Sequence, residues 1–109
     1  MVVISIIQII NIVDTPSSPL NLQFVVDEYH DHLATVYFTW DAPNDGSRVD
    51  YYQYQLTDRT SITYYNTSNT TATISGIPYN NNVTFLLLSY NCLGISSPLV
   101  EIIHIGRSN

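Results

Sequence analysis

Three groups of side chains in this 109-residue chain have the types and spacing to do chemistry. The first is Asp27, Glu28, His30, Asp31 and His32. Imidazoles two residues apart point to one side of an extended segment, and the neighbouring carboxylates complete a donor set that a zinc-like cation could use. The same composition is that of a solvated connection between strands, and the segment is read that way, with no metal site. The second is Cys92, the one cysteine. A thiol becomes nucleophilic when a cationic neighbour lowers its pKa, and no basic residue stands beside this one in sequence, so it is read as a partly buried, inert thiol. The third is the set of Asn-x-Ser/Thr triplets at Asn66, Asn69 and Asn82, none of which contains proline. These are candidate N-glycosylation acceptors, expected at loops or strand ends, and they favour an extracellular location.

Nothing else supports catalysis. There is no Gly-x-Ser-x-Gly elbow, no glycine-rich phosphate loop and no histidine paired in sequence with a plausible nucleophile. The expectation is a protein that is not an enzyme, with no catalytic residue and no cofactor. Its charge narrows the partners. Nine acids face three arginines and no lysine, for a net charge of -6. Nucleic acid needs a basic face that these residues cannot build, and anionic membrane surfaces are disfavoured for the same reason. A single cysteine cannot close an internal disulfide, so the core must hold by packing alone, unlike an immunoglobulin domain with its inter-sheet bridge.

The elements that must position these groups are strands. Residues 1–14 open with the apolar run MVVISIIQIINIV, which reads as a strand or a remnant of a preceding module, or as a signal peptide lacking a basic start and a clear cleavage site. It is too short to span a membrane as a helix. Pro16 and Pro19 then mark a boundary. Leu20, Leu22 and Phe24 predict a first strand, and Ala34, Val36, Phe38 and Trp40 alternate with polar or exposed positions as a second. Val49, Tyr52, Tyr54 and Leu56 are the expected inward set of a third, followed by a short strand over 61–66. Ala72, Ile74 and Ile77, then Val83, Phe85, Leu87 and Ser89, carry the next two inward faces. Val100 and Ile102 are the inward residues expected of the last strand, which Pro98 opens. Seven short strands without a helical period predict one all-β domain, an antiparallel sandwich over residues 15–106 with a tail at 107–109.

The sixth of these strands has an unusual second face. Thr84, Leu86, Leu88 and Tyr90 should point to solvent, and Tyr51 of the third strand together with an isoleucine of the last would extend them into an apolar patch. Such patches mark contacts. Leu86, Leu88, Tyr90 and Tyr51 are therefore the candidate interaction surface.

The order Pro19, Trp40, Pro43, Tyr52, Gly76-Ile77, Asn91, Gly94, Ser96 and Ser97-Pro98 resembles the skeleton of fibronectin type III modules from about Pro16 to Ile105. The resemblance implies a seven-stranded sandwich of immunoglobulin-like topology, with the loops after Trp40, around Asn66 to Asn69 and from Asn91 to Ser97 at one pole. Trp40 is expected to find an acceptor for its indole N–H near a strand end, and Gly76 to turn the chain into the corner before the sixth strand. Val83 departs from the pattern, which has a tyrosine there bonded back to the corner. On that ground Val83→Tyr is expected to stabilise. The implied role is a non-catalytic extracellular spacer and protein-interaction module of a receptor, adhesion or matrix protein. Its partners would be neighbouring modules of the same chain and an unidentified protein, with no nucleic acid and no insertion into membrane. An accessory module of a secreted enzyme is an alternative. A cytokine-type receptor module is another, weakened because Trp-Ser-x-Trp-Ser is absent; Arg-Gly-Asp is absent too.

Overall fold

A computed structural model describes residues 14–28, 33–59, 61–79 and 81–106. The apolar run at 1–13, the tail at 107–109 and the histidines of the 27–32 cluster lie outside the described residues. Eight strands follow one another: β1 (Leu20–Glu28), β2 (Leu33–Asp41), β3 (Tyr51–Thr57), β4 (Ile62–Thr67), β5 (Thr71–Pro78), β6 (Asn81–Asn91), β7 (Gly94–Ile95) and β8 (Leu99–Ile105). They form two antiparallel sheets, β1-β2-β5 and a five-stranded one in which β4, β3 and β6 lie side by side, with β7 and β8 both paired to the far side of β6. The count exceeds the expected seven because residues 96–98 break the last strand into β7 and β8. Pro98, which has no N–H to give a ladder, sits in that break.

Period-2 alternation decides which face each strand buries. On β2, Ala34, Val36, Phe38 and Trp40 are buried; on β6, Val83, Phe85, Leu87 and Ser89 are. Phe38 and Phe85 meet between the sheets as stacked rings, with centroids 3.7 Å apart and planes 8° from parallel. Trp40 stands edge-on to Tyr52 at 5.5 Å. Its Nε1 is buried without a partner among the described residues, contrary to the expectation that a strand-end carbonyl would accept it.

Two bulges adjust the registers. Ala34 pairs with Ile77 but Val36 with Ile74, so β5 carries one extra residue between its two isoleucines. That residue is accommodated at Gly76, whose φ of 74° is open to glycine at little cost. Gly76 thus serves a bulge inside β5 that keeps Ile74 and Ile77 both inward, and the corner comes only after Pro78. Asn21 is the counterpart on β1, at φ 55°, with its Nδ2 donating to Asp41 Oδ2 at 2.8 Å.

The last strand runs in the opposite phase to the expected one. Val83 pairs with Ile103, which places Ile103 and Ile105 in the core and leaves Val100 and Ile102 outside. The segment offers isoleucine or valine in both phases, so its own pattern was ambiguous, and pairing to β6 decides.

The loops gather at one pole, as the resemblance implied. Trp40 N–H donates to Thr70 O at 3.0 Å and Asp50 N–H to Tyr90 O at 2.8 Å. Buried Asn91 donates through Nδ2 to Asp14 O at 2.7 Å and Arg48 O at 3.0 Å, and its Oδ1 accepts from Leu93 N–H at 2.8 Å. Ser96 Oγ accepts from the buried Ser89 N–H at 2.9 Å and donates to Ser97 O. At the rim Asp45 accepts from the hydroxyls of Ser17 and Ser47 and from Ser47 N–H. These bonds lower its pKa to about 2, the Ser17 hydroxyl contributing most.

Three outcomes follow from this packing. Ser96→Ala leaves the Ser89 N–H buried and unpaired and is expected to cost about 1–3 kcal/mol, whereas Ser89→Ala removes a hydroxyl that has no partner among the described residues and is expected to leave denaturation midpoints unchanged. Val83 is fully buried, so a tyrosine must displace its neighbours; Val83→Tyr is now expected to lower the melting temperature, the reverse of what the family pattern implied. The depressed Asp45 pKa contributes stability above its unfolded value of 3.8 that is lost as pH falls toward 2. Melting curves of Asp45→Asn should accordingly show a shallower decline between pH 4 and pH 2 than those of the native chain.

Candidate interaction surface

The outer face of the five-stranded sheet is built from the residues that alternate with the core set. Across the ladders, Tyr64 and Gln55 align with Leu86 and Val100, and Ile62 and Thr57 align with Thr84 and Ile102. Further along, Asn66 and Gln53 align with Leu88, and Tyr51 aligns with Tyr90 and Ile95. Tyr51 and Tyr90 stack with centroids 4.8 Å apart. No Asp, Glu, Lys or Arg stands among these positions. His104 and Asn82 close the face at the end away from the loop pole, paired across β6 and β8.

The register brings Leu86, Leu88, Tyr90 and Tyr51 to one face, but they are not equally accessible. Leu88 is only 7 % exposed, a correction to its expected position in solvent. β6 is flanked on both sides, so neighbouring rows shade its outward residues, and Leu86 and Tyr90 are half-buried for the same reason. The accessible apolar area lies instead on the edge strands, where Ile102 is 69 %, Tyr64 58 % and Val100 49 % exposed. Alternation on the central strand included an unspecified isoleucine of the last strand but not Tyr64, and it set Val100 and Ile102 inward. An edge strand that reads as apolar in both phases was the signal available for them.

The other candidates resolve separately. Cys92 is exposed in the turn between β6 and β7, not partly buried as expected. Of the acidic and histidine cluster, Asp27 lies opposite Thr35 on β1, and the described residues contain no group of three or more metal-ligating side chains. Asn66, Asn69 and Asn82 are all exposed. Asn66 lies on β4 with its Oδ1 accepting from Gln53 Nε2 at 3.3 Å, so it borders the sheet face as well as the loop pole. Asn69 sits in the turn after β4, where its N–H donates to Thr67 Oγ1. Asn82 belongs to β6 itself.

No family model matches the sequence, and no curated protein does. Solved structures do. A structure described as FN3tt mut superposes with a TM-score of 0.64 at 22% identity, covering 86% of this chain and 100% of that one. The FN1-FN3 domains of chicken CNTN1 match with a TM-score of 0.69 at 17% identity over 87% of this chain, which spans 33% of theirs. Domains d3-d4 of the rat CD45 extracellular region match at 0.68 and 15% identity over 84% of this chain, which spans 50% of that structure. Two antiparallel sheets in this strand order, superposing on such domains over most of the chain, show that it has the fibronectin type III fold.

Proposed function

We propose that this chain is a non-catalytic, extracellular spacer and protein-interaction module of a receptor, adhesion or matrix protein, and that it meets its partner through the outer face of the five-stranded sheet. The observation that carries the reading is the charge-free apolar surface formed by Ile62, Tyr64, Leu86, Val100 and Ile102. In a chain of net charge -6, a face without an ionised side chain can be covered without stripping water from a charge, the costly part of forming a contact. The partner this face fits is a protein surface that is itself apolar and aromatic.

The ends of the fold suit a spacer. Asp14 is held at the loop pole by Asn91, and β8 finishes beside Asn81 at the opposite end, so the first and last described residues stand at opposite poles of the fold. The likeness to the extracellular region of CD45 and to the CNTN1 domains supports the location and the modular role. Asn66 and Asn82 lie at the margins of the apolar face, so sugars there would frame it and leave its centre open.

Exposed and buried members of the face separate contact from folding. Capture of proteins from the cell surface by the chain, compared with an Ile102→Ser/Tyr64→Ser variant, should lose a specific set of proteins while the melting temperature stays within a few degrees, since exposed substitutions cost about 0.5 kcal/mol or less each. Identical capture by both would refute the surface. Leu88→Ser, by contrast, should destabilise by about 2–5 kcal/mol, as truncation of a buried leucine does.

A further inference from the structure

Each sheet ends in strands that have a neighbour on one side only among the described residues: β1 and β5 in the three-stranded sheet, β4 and the β7–β8 pair in the other. An edge strand turns the N–H and C=O of alternate residues away from its neighbour, so it can pair with a further chain unless something blunts it. Three of these edges are blunted. β1 follows Pro19, carries the bulge at Asn21 and ends in Asp27 and Glu28. β5 has its bulge at Gly76 and ends in Pro78. The far edge is interrupted at 96–98, where Pro98 stands, and β8 carries Glu101 opposite the buried Phe85, hence in the inward phase.

β4 has none of these devices. Its six residues, Ile62 to Thr67, include no charge, proline or glycine, and they pair with β3 from Thr57↔Ile62 to Tyr52↔Thr67 without a shift. Isoleucine, threonine and tyrosine are residues that favour strands, and every position of β4 but Thr67 is exposed. We propose that β4 is a self-association edge, pairing antiparallel with β4 of a second copy of this chain so that two five-stranded sheets become one of ten. A second copy suits this edge for two reasons. Copies of net charge -6 repel one another, and along β4 they can approach with no carboxylate on either strand. The strand is also complementary to itself. Directly paired residues share a face and so do alternate residues, so a two-fold axis normal to the sheet must pass through a residue and not between two. Tyr65 is stacked on Tyr54 at 5.0 Å, which leaves the outward Tyr64 as the ring at the axis. Centred there, the pairing sets Tyr64 against the partner's Tyr64, Ile62 against the partner's Asn66 and Thr63 against the partner's Tyr65. Such a contact is about 20 Å long, at the small end of specific interfaces, so the dimer forms and dissociates with concentration. The outer faces of both copies lie on one side of the joined sheet, and Asn66 stands off that side, so a sugar on it is out of the plane of pairing.

This pairing stands or falls separately from the outer-face contact, because it is read from the purified full chain with no other protein present. Sedimentation velocity over a range of concentrations is expected to show monomer and dimer in exchange, and amide exchange along 62–67 should slow as concentration rises. Tyr64→Lys and Tyr64→Glu each place like charges across the axis and should weaken dimerisation by about fivefold or more, while the melting temperature, at this exposed position, stays within a few degrees. An equimolar mixture of the two variants should restore the dimer. A native chain that stays monomeric at millimolar concentration overturns the proposal. So does association that both variants keep, or a loss that mixing them does not restore.

Discussion

The fold depends on one contact between its two sheets, the stack of Phe38 on Phe85. With a single cysteine, no covalent bridge can join β2 to β6 within the chain. Full burial of each ring contributes about 1.5–3 kcal/mol and the stacked pair about 0.5–1.5 more, so this pair does by packing what a disulfide does in other sandwiches. The remainder of the core arranges itself around it. Tyr54 lies 5.7 Å from Phe85 and 6.2 Å from Trp40, linking the stack to the tryptophan, while Val36, Val83, Leu87 and Ile105 fill the positions above and below on alternating residues.

A stack of flat rings fixes the distance between sheets but not their slide along one another. The loop pole supplies that restraint with polar bonds in fixed directions. Asn91 ties the end of β6 to Asp14 ahead of β1 and to Arg48 ahead of β3, so one amide sets the relative height of three segments. Ser96 takes over where Pro98 and the break in the last strand interrupt the ladder, accepting the Ser89 N–H that no strand partner reaches. Both residues belong to the stretch that carries the likeness to fibronectin type III modules in the sequence. Their types follow from geometry: a side chain that donates and accepts at once at Asn91, and a small hydroxyl at Ser96.

How far the sequence revealed the fold depended on how many faces of a strand were apolar. On β2 a single phase is available, and Ala34, Val36, Phe38 and Trp40 were assigned from it without ambiguity. β6 is apolar in both phases, and Val83, Phe85, Leu87 and Ser89, assigned inward, are buried, as is Leu88 in the other phase. β8 offers Val100 and Ile102 against Ile103 and Ile105, and only its register on β6 separates them. The bulge at Gly76 was invisible for a related reason, since a glycine announces conformational freedom without saying whether a turn or a bulge uses it. For the surface, alternation told which side Leu88 faces but not how much of that side its neighbours cover. Burial of an outward residue belongs to the sheet and not to the strand.

The distribution of charge connects these features with the proposed contact. The chain has no lysine, the residue most used to keep sheet edges from pairing with other chains. Its described acids lie mainly off the outer face and near the ends of strands, with Asp14, Asp45 and Asp50 at the loop pole and Asp58 at the opposite end. The long side of the sheet is therefore neutral from the β4 edge to the β8 edge, and Ile62, Tyr64, Val100 and Ile102 are among its exposed apolar residues. Like-charge repulsion between acidic chains is strongest where those carboxylates stand, and salt screens it over about 10 Å at 0.1 M. A partner approaching the long side meets little of that field, whereas one approaching the loop pole meets it directly. The loop pole thus carries an acidic field, while the long side is apolar and uncharged, and this difference is the reason for proposing contact at the sheet face rather than at the loops.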